Sequence, residues 1–190
     1  VPDAVKIGMV SSAALVETIA KALENDKAKN IVLDTVMVST SGYRLISEDA
    51  ISALKERLLP LAAIITPNLP EAEVLAGITI KNKEDMLRAA EIIAQQTDAY
   101  ILIKGGHSMS DCDDMLYKNG EAVWFQGSRV HTKNTHGTGC TLSSAIAANL
   151  ALGKSMPQAV EQAKAYVANA ILQNPGLGKG NGPINHCWNI

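Results

Sequence analysis

Asn134-Thr135-His136-Gly137-Thr138-Gly139-Cys140-Thr141 is the stretch whose residue types and spacing point most directly to chemistry. Gly137 and Gly139 permit backbone angles closed to other residues and leave the main chain bare. From Thr141 the chain continues as TLSSAIAANLAL, small and helix-forming, and Gly153 stands where a helix stop is expected. A bare turn feeding a helix aims unpaired N–H groups and the positive end of the helix dipole at one point. Such a point holds anions, most often phosphate. Cys140 lies at its mouth, where the dipole would favour a thiolate. The plainer reading is a loop with two glycines and a small buried cysteine. The coincidence of turn, helix and cysteine favours function, with His136 shaping the turn rather than moving protons.

Other groups invite the same weighing. Asp34 ends the run Ile31-Val32-Leu33, as a loop cap or as a carboxylate facing a site. Asn68 and Glu71 are spaced N-x-x-E within TPNLPEAE. Magnesium prefers oxygen ligands and keeps most of its waters, so this pair could orient it directly or through water. The same spacing also caps a helix and places an acid in its first turn. Lys104, followed by Gly105-Gly106, is either a solvated lysine or an ammonium that neutralises phosphate charge. Met9 is by default a core methionine. Cys112 and Cys187 show no C-x-x-C spacing, and the Cys187–His186 neighbour pair makes no metal site.

The elements that must position these groups alternate. Residues 5–10 predict a short buried strand, and Ser11-Ser12 cap a helix reaching about Asn25. Residues 30–38 predict a second strand, so uniformly apolar that helices should cover both its faces. A helix opens at Ser47-Glu48-Asp49 and ends at Pro60, and residues 63–66 form a third strand. A short helix runs from Pro67-Asn68 to Gly77, and another from Asn82 through Gln96. Residues 100–103 form a fourth strand. Residues 115–117 and 122–125 flank Asn119-Gly120, a two-residue hairpin signal. The last long helix begins at Ser155-Met156-Pro157 and reaches about Gln173, before a tail with Gly176, Gly178, Gly180 and Gly182. This order implies one α/β domain over residues 1–190 with a largely parallel sheet and right-handed crossovers. In such sheets ligands sit beyond the carboxyl ends of the strands. Met9, Asp34, Asn68, Glu71, Lys104 and the turn before Cys140 all fall there.

The 190 residues carry a net charge of −2, with 47% hydrophobic and 19% charged residues. That is an ordinary globular composition, with no basic surplus for nucleic acid or anionic membrane. No apolar run reaches bilayer length and no signal peptide opens the chain. Three cysteines, an odd number, suit a reducing cytoplasm.

NTHGTGCTLS resembles the phosphate-site signature of the hydroxymethylpyrimidine kinase / phosphomethylpyrimidine kinase family of thiamin biosynthesis, within the ribokinase-like superfamily. Many sugar kinases of that superfamily carry a catalytic Asp where this branch, like this chain at Cys140, has Cys. KIGM, DTVMVSTSG, TPNLPEAE and KGGH add to the resemblance, and Gly180-Asn181-Gly182-Pro183 continues it weakly. It implies a ribokinase-like three-layer α/β/α fold with a central, mostly parallel sheet. It also implies that the front of the family's domain, which helps build the pyrimidine pocket, precedes Val1. The implied activity is phosphorylation of 4-amino-5-hydroxymethyl-2-methylpyrimidine, then of its monophosphate, by ATP with Mg²⁺. Catalysis is expected from Cys140, Gly137, Thr138, Gly139 and Lys104. Lys104, Thr135, Thr138 and Gly139 would hold the ATP phosphates. Met9, Val36 and Cys140 would meet the pyrimidine, with Met37 and Val38 beside Val36 in that pocket. Asp34, Asn68 and Glu71 would serve the metal, and Ser39-Thr40-Ser41-Gly42 would be a flap by the acceptor. The expected partner is a small pyrimidine in a homodimer, with no nucleic acid and no membrane. A pyridoxal kinase of the same superfamily is the nearest alternative, and a non-catalytic pyrimidine-binding module a more distant one.

Overall fold

The computed structural model describes residues 1–38, 45–106, 112–127, 130, 132–173 and 175–190. The proposed flap and His107 lie outside these.

A six-stranded sheet runs in sequence order: β1 (Val5–Ile7), β2 (Ile31–Leu33), β3 (Ile64–Ile65), β4 (Tyr100–Ile103), β5 (Asp114–Lys118) and β6 (Glu121–Phe125). β1 to β4 are parallel, and β4–β5 and β5–β6 are antiparallel. The last pair is the expected hairpin. Asn119 (φ 51°) and Gly120 (φ 84°) adopt the left-handed angles that a two-residue turn of this kind requires.

Helices cover both faces. Ile7, Leu33, Ile65, Ile101 and Ile103 pack against α1 (Ala13–Asn25), α2 (Glu48–Ala53), α3 (Leu69–Ala76) and α4 (Lys83–Ala94). Val32, Ile64, Leu102 and Leu116 face the other way, against α5 (Thr138–Ala151) and α6 (Met156–Leu172). Successive residues of one strand thus serve two cores, which is why these strands are apolar throughout. No described helix is long and apolar enough to cross a membrane.

Three expected boundaries move. β1 stops at Ile7 rather than Val10. β2 ends at Leu33 rather than Val38, because the chain folds back at once, Val36 N–H donating to the Asp34 carbonyl (2.8 Å). α2 passes through a wider π turn and a short 3₁₀ turn, with Pro60 inside the latter, before the chain extends into β3.

Candidate active site

α5 begins at Thr138, three residues earlier than its apolar run suggests. Gly137 is its N-cap, at φ 85° and ψ −1°, a left-handed conformation that glycine adopts without strain. Gly139 and Cys140 therefore belong to the first helical turn, and Gly139 needs no special angles. Thr141 N–H is the first to find a helical acceptor, the Gly137 carbonyl at 2.8 Å. The N–H groups of Gly139 and Cys140 have no acceptor among the described residues. Thr138 spends its hydroxyl locally, donating to the Thr135 carbonyl at 2.7 Å, and the Thr135 side chain is exposed. What remains is a pair of backbone donors, at half-buried Gly139 and at exposed Cys140.

Lys104, just past β4, reaches this point from the sheet. A methyl group built on Gly139 would stand 3.5 Å from its ammonium. The ammonium donates to Asp34 Oδ1 at 3.3 Å. Asp34 is 2% exposed; it also accepts from Thr66 Oγ1 at 3.2 Å and Ser143 Oγ of α5 at 3.1 Å, and forms a longer ion pair with Lys6 Nζ at 3.9 Å. The ends of β1, β2, β3 and β4 and the second turn of α5 therefore meet on one carboxylate. Both Asp34 oxygens are hydrogen-bonded, and through them the carboxylate ties Lys104 to the anion turn.

Asn68 and Glu71 answer to the plainer reading of their spacing. Asn68 Oδ1 accepts from Glu71 N–H (2.8 Å) and Glu71 Oε2 accepts from Asn68 N–H (2.9 Å), a complete capping box opening α3. They still lie near the site, since Asn68 bridges to Lys104 beyond the ends of β3 and β4. Burial pushes the Glu71 carboxyl up to about 7, and the Asp34 charge adds to this. Lys104 and the backbone N–H groups of Asn68 and Met37 pull the other way. Among the described residues, no three His, Cys, Asp or Glu side chains gather as a metal site. A buried carboxylate so incompletely compensated does fit a Mg²⁺ ion held through its water shell.

A groove of about 770 Å³ leads from the turn between α5 and α6, lined by Gly137, Cys140, Thr141, Tyr166 and His186 among others. Met9 and Val36 are not in its wall. Met9 is not the core residue its apolar surroundings suggest but is 56% exposed, and Val36 is half-buried. Met37 is fully buried in the sheet's larger core, so it cannot line a pocket as the V-M-V resemblance implies. The Thr35 hydroxyl is buried without a partner among the described residues.

Sequence reasoning missed two contributors. The tail returns to the turn: His136 N–H donates to the Gly182 carbonyl (3.2 Å), Gly182 N–H donates to Asn134 Oδ1 (2.9 Å), and His186 Nε2 lies 3.0 Å from Thr141 Oγ1. A side chain on Gly182 would stand 2.5 Å from Asn134 Oδ1, so the close approach requires glycine. The weak GNGP likeness was the available signal. Ser143, the other, sits in a helix whose small residues look alike in sequence.

The chain is similar to known proteins over most of its length. A family model described as phosphomethylpyrimidine kinase matches residues 1–185. A hydroxymethylpyrimidine/phosphomethylpyrimidine kinase of Streptomyces coelicolor is 44% identical over 186 residues, 98% of this chain and 69% of that protein. The crystal structure of a phosphomethylpyrimidine kinase from Clostridium difficile 630 superposes with a TM-score of 0.80 at 42% identity, covering 90% of this chain and 69% of that one. A pyridoxal kinase from Staphylococcus aureus in complex with ADP superposes with a TM-score of 0.90 at 34% identity, covering 97% and 68%.

Proposed function

The chain belongs to the phosphomethylpyrimidine kinase family, and from that premise we propose that it transfers the γ-phosphoryl group of ATP to hydroxymethylpyrimidine and then to its monophosphate. The carrying observation is the convergence of Lys104 with the unpaired N–H groups of Gly139 and Cys140. An ammonium and bare helix N–H groups at one point suit a phosphoryl group in transfer, whose charge spreads over its equatorial oxygens. The acceptor hydroxyl oxygen forms a bond to the γ-phosphorus as the bond to the β-phosphate bridging oxygen breaks. The hydroxyl proton leaves to Cys140 or to solvent, and ADP departs. Cys140, exposed at the turn, stands by the acceptor hydroxyl as a base or positioning group. A loose transition state needs little base strength, so positioning is the larger part. Thr135 and Thr138 would lie along the phosphates, and Met9 and Val36 against the pyrimidine. Glu71 and Asn68 would hold Mg²⁺ through its waters, and the ion would supply neutralisation of phosphate charge. Residues 1–190 would form the larger part of one kinase domain, working in the cytoplasm.

Pyridoxal is the alternative acceptor, favoured by the higher backbone similarity to the Staphylococcus aureus enzyme. The higher sequence identity to the phosphomethylpyrimidine kinases reports side chains as well as backbone, and supports the pyrimidine. Coupled assays with hydroxymethylpyrimidine, its monophosphate and pyridoxal decide. Turnover of both pyrimidines is expected. Turnover of pyridoxal alone would overturn the reading.

A further inference from the structure

Lys164 of α6 carries an ammonium that no sequence motif draws attention to, and it lies outside the group of residues assigned above. Its three protons meet three acceptors: Asp114 Oδ2 at 2.7 Å, the Phe125 carbonyl at 2.8 Å and the Cys112 carbonyl at 3.3 Å. That is a full complement for a lysine head group. Asp114 passes the contact on, its Oδ1 accepting the N–H of Gly105, the residue after Lys104, at 2.9 Å. Cys112 lies at the far end of the segment that Lys104-Gly105-Gly106 begins. Phe125 is the last residue of β6, from which the chain runs on to the Gly137 turn. Packing is tight here: a side chain on Gly105 would stand 2.0 Å from the Asp113 carbonyl oxygen, and one on Gly127 would stand 2.3 Å from that of Cys112. Gly127 N–H also donates to Asp113 Oδ1 at 3.0 Å, joining the two segments a second time.

We propose that Lys164 is a positioning residue for nucleotide binding. By gathering the segments after β4 and β6 onto one charge, it fixes the backbone from which Lys104 reaches toward Gly139. It touches neither nucleotide nor acceptor. Its loss therefore loosens the placement of the phosphate-binding ammonium while leaving the pyrimidine contacts as they are. The proposal rests on the kinase reading above.

Calorimetric titration with ADP, together with steady-state kinetics on the folded fraction, tests it. Lys164→Met should weaken ADP binding and raise the KM for ATP by about tenfold, the scale of one charge-assisted hydrogen bond. The KM for hydroxymethylpyrimidine should stay within about twofold, since no uniform loss of binding is involved. Lys164→Arg, which keeps the donors, should restore most of the affinity. If the Met variant does not fold, Lys164→Gln, with two amide donors and no charge, should fall between wild type and the expected Met value. A purely structural lysine would lower the melting temperature or the active fraction with unchanged ADP affinity and KM values, and that result overturns the proposal. Failure of the unaltered protein to bind ADP would instead remove the kinase reading, and this inference with it.

Discussion

Two acid-containing corners of the site, Asp34 and the Asn68–Glu71 pair, sit at neighbouring strand ends and behave in opposite ways. Asp34 has no local partner. Its carboxylate accepts from Thr66, Lys104 and Ser143 and pairs electrostatically with Lys6, drawn from four other parts of the chain. Asn68 and Glu71 are three residues apart and satisfy one another across the first turn of α3. A group satisfied locally stabilises its own helix. A group satisfied from afar fixes where other elements stand, and here it holds Lys104 against the N-terminus of α5. Glu71 belongs partly to both: its box is local, yet its ionisation responds to Lys104 and Asp34.

The sharpest way to break this contrast is Asp34→Ala. It leaves the Lys104 ammonium and the Thr66 hydroxyl without this acceptor, and removing one partner of a buried ion pair costs about 3–5 kcal/mol. Urea unfolding measures it. A loss below about 1 kcal/mol, the scale of an ordinary hydrogen bond, would mean the long-range ties carry little.

Glu71→Gln comes next, and its effect depends on pH. The folded carboxyl is pushed above its ordinary value, to about 7. The folded state therefore binds the proton more tightly than the unfolded chain does. The resulting stability is full below the ordinary carboxyl range and is lost as pH rises through about 7. Glutamine keeps the capping oxygen and never ionises. Near pH 4 the two proteins should unfold alike, and by pH 8 the variant should be the more stable by up to about 3 kcal/mol. A stability difference independent of pH would show that Glu71 ionises as freely as a surface acid.

Asn68→Ala is the smallest of the three. Loss of an N-cap costs about 1 kcal/mol. ADP affinity measured without Mg²⁺ should not change, and a clear loss of that affinity would move Asn68 from the local corner to the long-range one.

What sequence could reveal divides along the same line. Ser12, Asn68 and Asn82 cap the helices they were expected to cap, because a cap is a contact over three residues. Asn119-Gly120 makes its hairpin and Gly77 closes α3 at φ 71° for equally local reasons. The alternation of strands and helices sufficed for the three-layer arrangement. The end of β2 was illegible because the residues after Asp34 remain apolar: Met37 is buried in the core without being in the strand. The start of α5 was illegible because Thr138 and Gly139 are poor helix formers held there by position. Ser143 on Asp34, Lys164 on three segments and the tail on the turn join residues far apart in the chain, and no short pattern announces such a contact.

The central claim is that Lys104 and the first turn of α5 form one phosphate-binding point. Calorimetric titration of wild type and Lys104→Met with ADP tests it most directly. Hydrogen bonds to charged groups contribute about 1.5–3 kcal/mol, so the variant should bind roughly tenfold to a hundredfold more weakly. Equal affinity in a variant that is still folded would contradict the claim.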